Sequence, residues 1–315
     1  MKYELTTTTK DYYGIKLYQI KALKDFGNVK KGELGGWIEK EANLSQEGEC
    51  WVYGNASVSD SAWVLGSARV FGNARVSDNA RIFGNARIFG NAWVYDNARV
   101  SGDAWVYDNA HISGDAWVYG NAKVFGSARV YDGAQIFGSA HICGNARISG
   151  NARVYDDARV SDNAHISGSV QIFDNARVYD DARVCGNARV CGNARVYANA
   201  RVYDDARVCG NAGVSGDARV SGNARVSGDA RVSKGEINAR TDLITFDFGE
   251  FYCTATRLGC QIGCKYFSYE DWFKVNKKEA IEMGMKEYNY EEYLGFLKFA
   301  KLRFKKIDKQ LGESK

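Results

Sequence analysis

Three histidines are the side chains in this 315-residue chain best suited to move a proton near neutral pH: His111, His141 and His165, in AHISGD, AHICGN and AHISGS. Each follows an alanine and precedes an isoleucine, in a place that arginine fills in most neighbouring segments. That setting reads as one solvent-facing position repeated along the chain. The three therefore stand as weak candidates for a general base, and no catalytic residue is assigned. The other cluster with chemical potential is Cys253, Cys260 and Cys264, in CTATRLGCQIGC. Zinc sites pair cysteines more closely or add a fourth Cys or His ligand. Spacings of 7 and 4 with no histidine nearby read instead as half-buried thiols of a hairpin. Neither a metal nor a cofactor is expected.

What would position these residues is a six-residue repeat, A-x-V-x-[GD]-[ND]. Its aliphatic member falls at Val52, Val58, Val64, Val70, Val76, Ile82 and every sixth residue to Val232, thirty steps without an insertion. In Ala176-Arg177-Val178-Tyr179-Asp180-Asp181 the alternation of an extended strand puts Ala176 and Val178 on one side and Arg177 and Tyr179 on the other. Two residues from Gly, Asp, Asn and Ser then make a corner, because they tolerate positive φ or bond their own backbone. A lone unit has nothing to pack against, so the units must stack and bury one another's apolar side.

The pattern of an aliphatic residue followed four positions later by a small one, as in Val52-Tyr53-Gly54-Asn55-Ala56-Ser57, resembles the left-handed parallel β-helix (hexapeptide-repeat) proteins. The resemblance implies triangular coils of eighteen residues. With Ile38 and Leu44 as two earlier units before a two-residue slip near Gly48, about eleven coils are expected. On that period His111 and His165 share a face three coils apart, about 14 Å at the usual strand spacing and too far to share a metal. His141 lies on a different face. The best-known members are trimeric acyltransferases that use acyl-CoA, with a histidine base and the donor in the groove between helices. Such enzymes usually carry a loop that bulges from the helix to the active site, and thirty unbroken steps leave no place for one. The stretch GELGGWIEKEANLSQEGECWVYGNA is similar to the start of the uncharacterised YdcK-like bacterial and phage repeat proteins. Some of those carry an acetyltransferase label by analogy of fold.

The organisation expected is an N-terminal β cap over 1–35, an all-β solenoid over 36–240, and a C-terminal hairpin plus helices over 241–315. Ile15 to Leu23 reads as a strand of the cap, which covers an otherwise open sheet end. Ile244 to Ile262 reads as one or two hairpins. Ser268 caps one helix, and a second runs from Tyr290, capped by Asn289, to about Ile307, with Tyr293, Phe296, Leu297, Ala300, Phe304 and Ile307 on one apolar face. The polar start MKYELTTTTKDYYG lacks a signal-peptide core, and no apolar run is long enough for a membrane span. A cytoplasmic protein with its eight cysteines reduced is expected, including Cys191 and Cys209, which sit one coil apart and would pair if oxidised. A net charge of +4 does not by itself call for a nucleic-acid partner.

Function is then to be sought on the outward positions. One face collects Tyr53, Phe71, Phe89, Tyr107 and Phe125, with Trp51 and Trp105. A second collects Leu65, Phe83, Tyr119, Phe137, Tyr155 and Phe173, with Trp63 and Trp117, interrupted by Ser101. The third is mostly small (Ser59, Ser77, Ser113, Ser149, Ser167), interrupted by Tyr95 and Tyr131. Farther on, Arg183, Arg201 and Arg219 form a stripe. Contiguous Tyr, Trp and Arg of this kind mark binding surfaces. The expected function is a non-enzymatic scaffold that engages a protein partner or copies of itself, in one form a phage-type inhibitor of a host or defence complex. Single-stranded nucleic acid is the lesser expectation, because the arginines ring all faces and corner carboxylates balance them. The alternative is the trimeric acyltransferase.

Overall fold

The computed structural model describes residues 1–12, 14–248 and 251–313, the side chains of 311–313 excepted. It is a parallel β-solenoid with a small C-terminal part of sheet and helix, and it divides into two compact units, Met1–Asp174 and Asn175–Lys315.

In the first unit each hexad contributes a two-residue strand, and strands eighteen residues apart pair in parallel. One sheet runs through Trp51, Arg69, Arg87, Trp105, Lys123, His141 and Arg159 in register. The second runs through Ser57, Arg75, Trp93, His111, Arg129, Arg147 and His165. The third runs through Trp63, Arg81, Arg99, Trp117, Gln135, Arg153 and Gln171. The eighteen-residue coil is thus the period of the sheet. Inside, the alanines and the Val and Ile side chains are almost wholly buried. Ala leaves room for the bend, and each buried aliphatic side chain contributes roughly 1.5–3 kcal/mol. The two-residue slip is also present: Ile38 pairs with Val58 and Leu44 with Val64, twenty residues on instead of eighteen. Gly48 takes up the extra length at φ 66°.

The corners hold Gly or Asp at positive φ, and alanine at Ala198; Gly84 has φ 68° and Asp96 φ 56°. The asparagine beside the corner builds a ladder of its own, Asn73 donating to Asn91 at 3.2 Å and Asn91 to Asn109 at 3.1 Å. The Asp carboxylates accept the corner N–H one coil on, as Asp96 does from Gly114 at 3.0 Å.

Before the first coil, strands Tyr3–Tyr12 and Ile15–Ala22 pair antiparallel, and the second pairs antiparallel with Leu34–Ile38, which opens the parallel stack. The first of these strands was not legible in the polar TTTT run; it forms because a neighbouring strand edge is there to receive it. The hairpin folds over the open end. Lys2 is buried there and donates from Nζ to the Cys50 carbonyl at 2.9 Å.

In the second unit strands eighteen residues apart likewise pair in parallel, for example Arg183, Arg201, Arg219 and Arg189, Arg207, Arg225. Four short antiparallel strands follow: Ile244–Asp247, Tyr252–Ala255, Cys260–Ile262 and Lys265–Phe267. Part of the expected hairpin, Gly249 and Glu250, lies outside the described residues. Ser268 caps the helix Tyr269–Trp272 by accepting from the Asp271 N–H. A helix not anticipated, Lys277–Glu282, starts with a reciprocal cap in which Asn276 accepts the Glu279 N–H and Glu279 the Asn276 N–H, each at 3.0 Å. The long helix Tyr290–Glu313 extends past the expected end at Ile307, and a 3-10 turn, Glu287–Asn289, leads into it. Its predicted apolar face is the buried one, from Tyr293 to Ile307. This part is seated on the last coil by the Arg231 N–H, which donates to Thr254 Oγ1 at 2.9 Å, and Arg257 ties the turn at Asp242 to Asp308 of the long helix.

Candidate functional site

The rings of the first unit lie where the modulo-eighteen sorting puts them, and they stack. On one face Phe71, Phe89, Tyr107 and Phe125 form a column of nearly parallel rings 4.7 to 4.9 Å apart. On the next, Tyr119, Phe137, Tyr155 and Phe173 do the same at 4.8 to 5.1 Å. One coil step matches the centroid separation of offset-stacked rings, so parallel pairing imposes the stack. Each ring spends its faces on its neighbours and turns its edge outward, which is why these side chains are half-buried. Tyr53 and Phe83 are also half-buried. Trp63 is the most exposed indole, at 43%.

Trp51 is a correction. Placed with the outward aromatics by its register, it is fully buried, because the cap lays Tyr3 and Phe26 edge-on against its ring at 6.1 and 5.3 Å. It belongs to the core under the cap and is not available as a contact residue.

The other tryptophans show a rule that no count of positions reveals. Where a serine stands sixteen residues earlier, in the ring column one coil before the tyrosine that follows the tryptophan by two, the indole turns back into the gap. Trp93 donates to Ser77 Oγ at 3.3 Å and lies 4.5 Å from Tyr95; Trp117 donates to Ser101 Oγ at 3.2 Å and lies 4.5 Å from Tyr119. Trp105 meets Phe89 instead of a serine. It stands edge-on to that ring at 6.0 Å, with Arg87 and Lys123 over its own ring at 5.0 and 5.3 Å.

His111 and His165 fall on one sheet with Arg129 and Arg147 between them, and His141 falls on another, as expected from the spacing. The structure does not bring the three together. His111 lines a recess of about 320 Å³ with Tyr95, Ser113, Arg129, Tyr131 and Arg147. Burial and the Arg129 charge hold its imidazole below the ordinary value, and burial with Lys123 does the same for His141. Both are therefore neutral at neutral pH. On acidification the unfolded chain takes up these protons first, so stability falls as pH drops below about 6.5 toward the lower folded values. We expect His111→Gln combined with His141→Gln to flatten the loss of thermal midpoint between about pH 7 and pH 5. Gln135 and Gln171 already occupy the same slot. Parallel pH profiles of variant and parent would contradict this.

In the second unit Arg183, Arg201 and Arg219 are exposed and in register, and Arg219 pairs with Glu236 at 3.1 Å. A larger recess of about 730 Å³ opens where Gly213 replaces the outward arginine between Arg195 and Arg231. A single glycine in the outward column was the signal for it. Cys253 and Cys260 are buried on adjacent strands, while Cys264 is exposed. Burial and the neighbouring Cys253 push the Cys260 thiol well above its ordinary range. Among the described residues no group of three Cys, His, Asp or Glu side chains is disposed to hold a metal. The expectation of eight reduced thiols is corrected at Cys191 and Cys209. They form a disulfide, because register puts their Cα atoms 4.6 Å apart in equivalent slots of successive coils. No helix among the described residues is long and apolar enough to cross a membrane.

The fold and its outward columns define a hexad-repeat parallel β-solenoid. Stretches of its array are similar to the YdcK beta solenoid repeat, whose family model matches residues 80–96, 92–108, 140–156, 152–168, 170–186, 182–197, 188–204, 200–216 and 218–234. One relative, named as the uncharacterized acetyltransferase YdcK of Escherichia coli (strain K12), is 44% identical over 45 residues, 14% of this chain and 14% of that protein. The chain thus matches only a small part of the relative's length.

Proposed function

We propose that the protein is a rigid binding scaffold that engages a protein partner, or further copies of itself, through the edges of its stacked rings and its arginine columns. The observation that carries this is the column Phe71, Phe89, Tyr107 and Phe125, rings 4.7 to 4.9 Å apart on one face. A partner meets a pre-ordered strip of ring edges there and loses little entropy in ordering it. An inhibitor of a host or defence complex is the form suggested by the resemblance to phage repeat proteins.

A second reading is acetyl transfer from acyl-CoA. The name of the relative and the seat of neutral His111 beside Arg129 and Arg147 favour it. One set of variants separates the two. The scaffold reading expects Phe71→Ser, Phe89→Ser and Tyr107→Ser together to abolish copurification of the partner, or self-association by sedimentation, with circular dichroism retained. Unchanged recovery and unchanged oligomeric state would reject the interface. Acetyl-CoA-dependent activity lost on replacing His111, His141 and His165 with Gln, in a folded protein, would reject the non-enzymatic reading.

A further inference from the structure

The ring columns contain two gaps of the same kind: a serine with an aromatic ring one coil before and one coil after. Ser101 stands between Phe83 and Tyr119, and Ser113 between Tyr95 and Tyr131. The first gap is filled by the protein itself. Trp117 swings into it, lies 4.5 Å from Tyr119 and donates its indole N–H to Ser101 Oγ at 3.2 Å. Trp93 fills the Ser77 position in the same way, against Tyr95. The second gap has no such plug. The residue that would supply it, two before Tyr131, is Arg129, where Trp93 and Trp117 stand two before Tyr95 and Tyr119. What remains is the recess lined by Tyr95, His111, Ser113, Arg129, Tyr131 and Arg147.

The dimensions follow from the solenoid. Tyr95 and Tyr131 are two coils apart, roughly 9.6 Å at the usual strand spacing. That leaves room for one planar ring at the 4.7 to 5.1 Å seen between stacked rings elsewhere on the chain. The far side of Tyr95 is already taken by Trp93, which leaves its other face toward Ser113. The charges at the rim are unlike those at the filled gap. Arg129 and Arg147 flank it, while the corner carboxylates Asp96 and Asp132 are engaged with the Gly114 and Gly150 N–H groups at 3.0 and 3.1 Å.

We infer that the Ser113 gap is a binding slot for a purine nucleotide. The purine takes the place that an indole takes at Ser101: it stacks between Tyr95 and Tyr131 and offers a ring or amino N–H to Ser113 Oγ. The phosphate pairs with Arg129 and Arg147, for which guanidinium geometry is suited. His111, neutral and facing the slot, is a further polar partner for the ribose or the base. The inference does not depend on the scaffold reading, since such a slot serves a regulated scaffold and an enzyme alike.

Calorimetric titration of the full chain with AMP, GMP, adenosine, ribose 5-phosphate and coenzyme A tests it. AMP or GMP is expected to bind tighter than about 1 mM, adenosine more weakly, and ribose 5-phosphate weakest. Ser113→Tyr closes the gap with a ring, and Arg129→Trp rebuilds the Trp-Val-Tyr plug that the chain uses at Ser77 and Ser101. Both place residues that the array already carries in those slots, and each is expected to weaken AMP at least tenfold with unchanged thermal stability. Arg147→Gln is expected to weaken AMP while leaving adenosine unchanged. Coenzyme A binding more than tenfold tighter than AMP would identify a larger coenzyme as the source of the nucleotide; equal affinity would point to the free nucleotide. Ribose 5-phosphate matching AMP, wild-type affinity in Ser113→Tyr or Arg129→Trp, or no nucleotide binding at millimolar concentration would each overturn the inference.

Discussion

Trp51→Ala destabilises the first unit by about 3–5 kcal/mol, the usual cost of deleting a large buried aromatic side chain. The indole is wholly buried, with Tyr3 and Phe26 against it and the backbone of Gly35 so close that an added Cβ would come 2.7 Å from the ring. Its loss undocks the hairpin from the first coil and uncovers a strand edge, which invites end-to-end addition. The expected result is faster amide exchange over residues 3–58 and a tendency to self-associate, while the ring column from Phe71 to Phe125 stays ordered. If Trp51 were instead a contact residue of the outer face, the variant would keep its stability and lose only its partner. Hydrogen exchange combined with sedimentation decides between these outcomes.

The second large effect is at a corner. Gly84→Val is expected to cost on the order of 3 kcal/mol, and Gly84→Asp about 1 kcal/mol or less. Gly84 has φ 68°, and a Cβ there would approach the Gly102 nitrogen to 2.8 Å. A β-branched residue has no comfortable rotamer in that conformation and no way to move off the next coil. Aspartate occupies the same kind of corner at Asp78 and Asp96, with φ 58° and 56°. There it recovers part of the strain by accepting an N–H one coil on, as Asp96 does from Gly114 at 3.0 Å. Thermal unfolding of the two variants side by side checks the claim. Equal losses would mean that steric crowding, and not backbone conformation, selects the corner residues.

These two effects lie at opposite ends of what could be read from the chain. The corner is legible because it obeys a local rule: Gly and Asp are what a left-handed conformation most readily admits, and the repeat prints one of them at every sixth residue, Ala198 excepted. The slip at Gly48, the buried face of the last helix and the cap at Ser268 are local or periodic in the same sense. Trp51 was misplaced because its register is that of an outward residue, and only the return of the N-terminal hairpin over it changes its surroundings. Cys191 and Cys209 were placed one coil apart correctly; their bond depends on how closely the sheet holds the two backbones. The strand Tyr3–Tyr12 could not be read at all, since a TTTT run becomes a strand only when an edge is offered to it. The helix Lys277–Glu282 was legible in Asn276-Lys277-Lys278-Glu279 and was missed because the segment is short.

The gap at Ser113 divides in the same way. The sequence alone places Tyr95, Ser113 and Tyr131 in one column, and it places arginine at position 129 where tryptophan stands at 93 and 117. It does not say that an indole folds back by one coil when a serine is there to receive it. That is settled by the spacing of successive coils, which matches the centroid separation of offset-stacked rings and turns each missing side chain into a slot of definite size. The repeat therefore determined the coil, its period and the column to which each outward residue belongs, because those follow from alternation and steric fit within a few residues. Which outward residues are covered, which rings meet and which gap stays open were decided only by the tertiary structure, because each depends on side chains eighteen or more residues away.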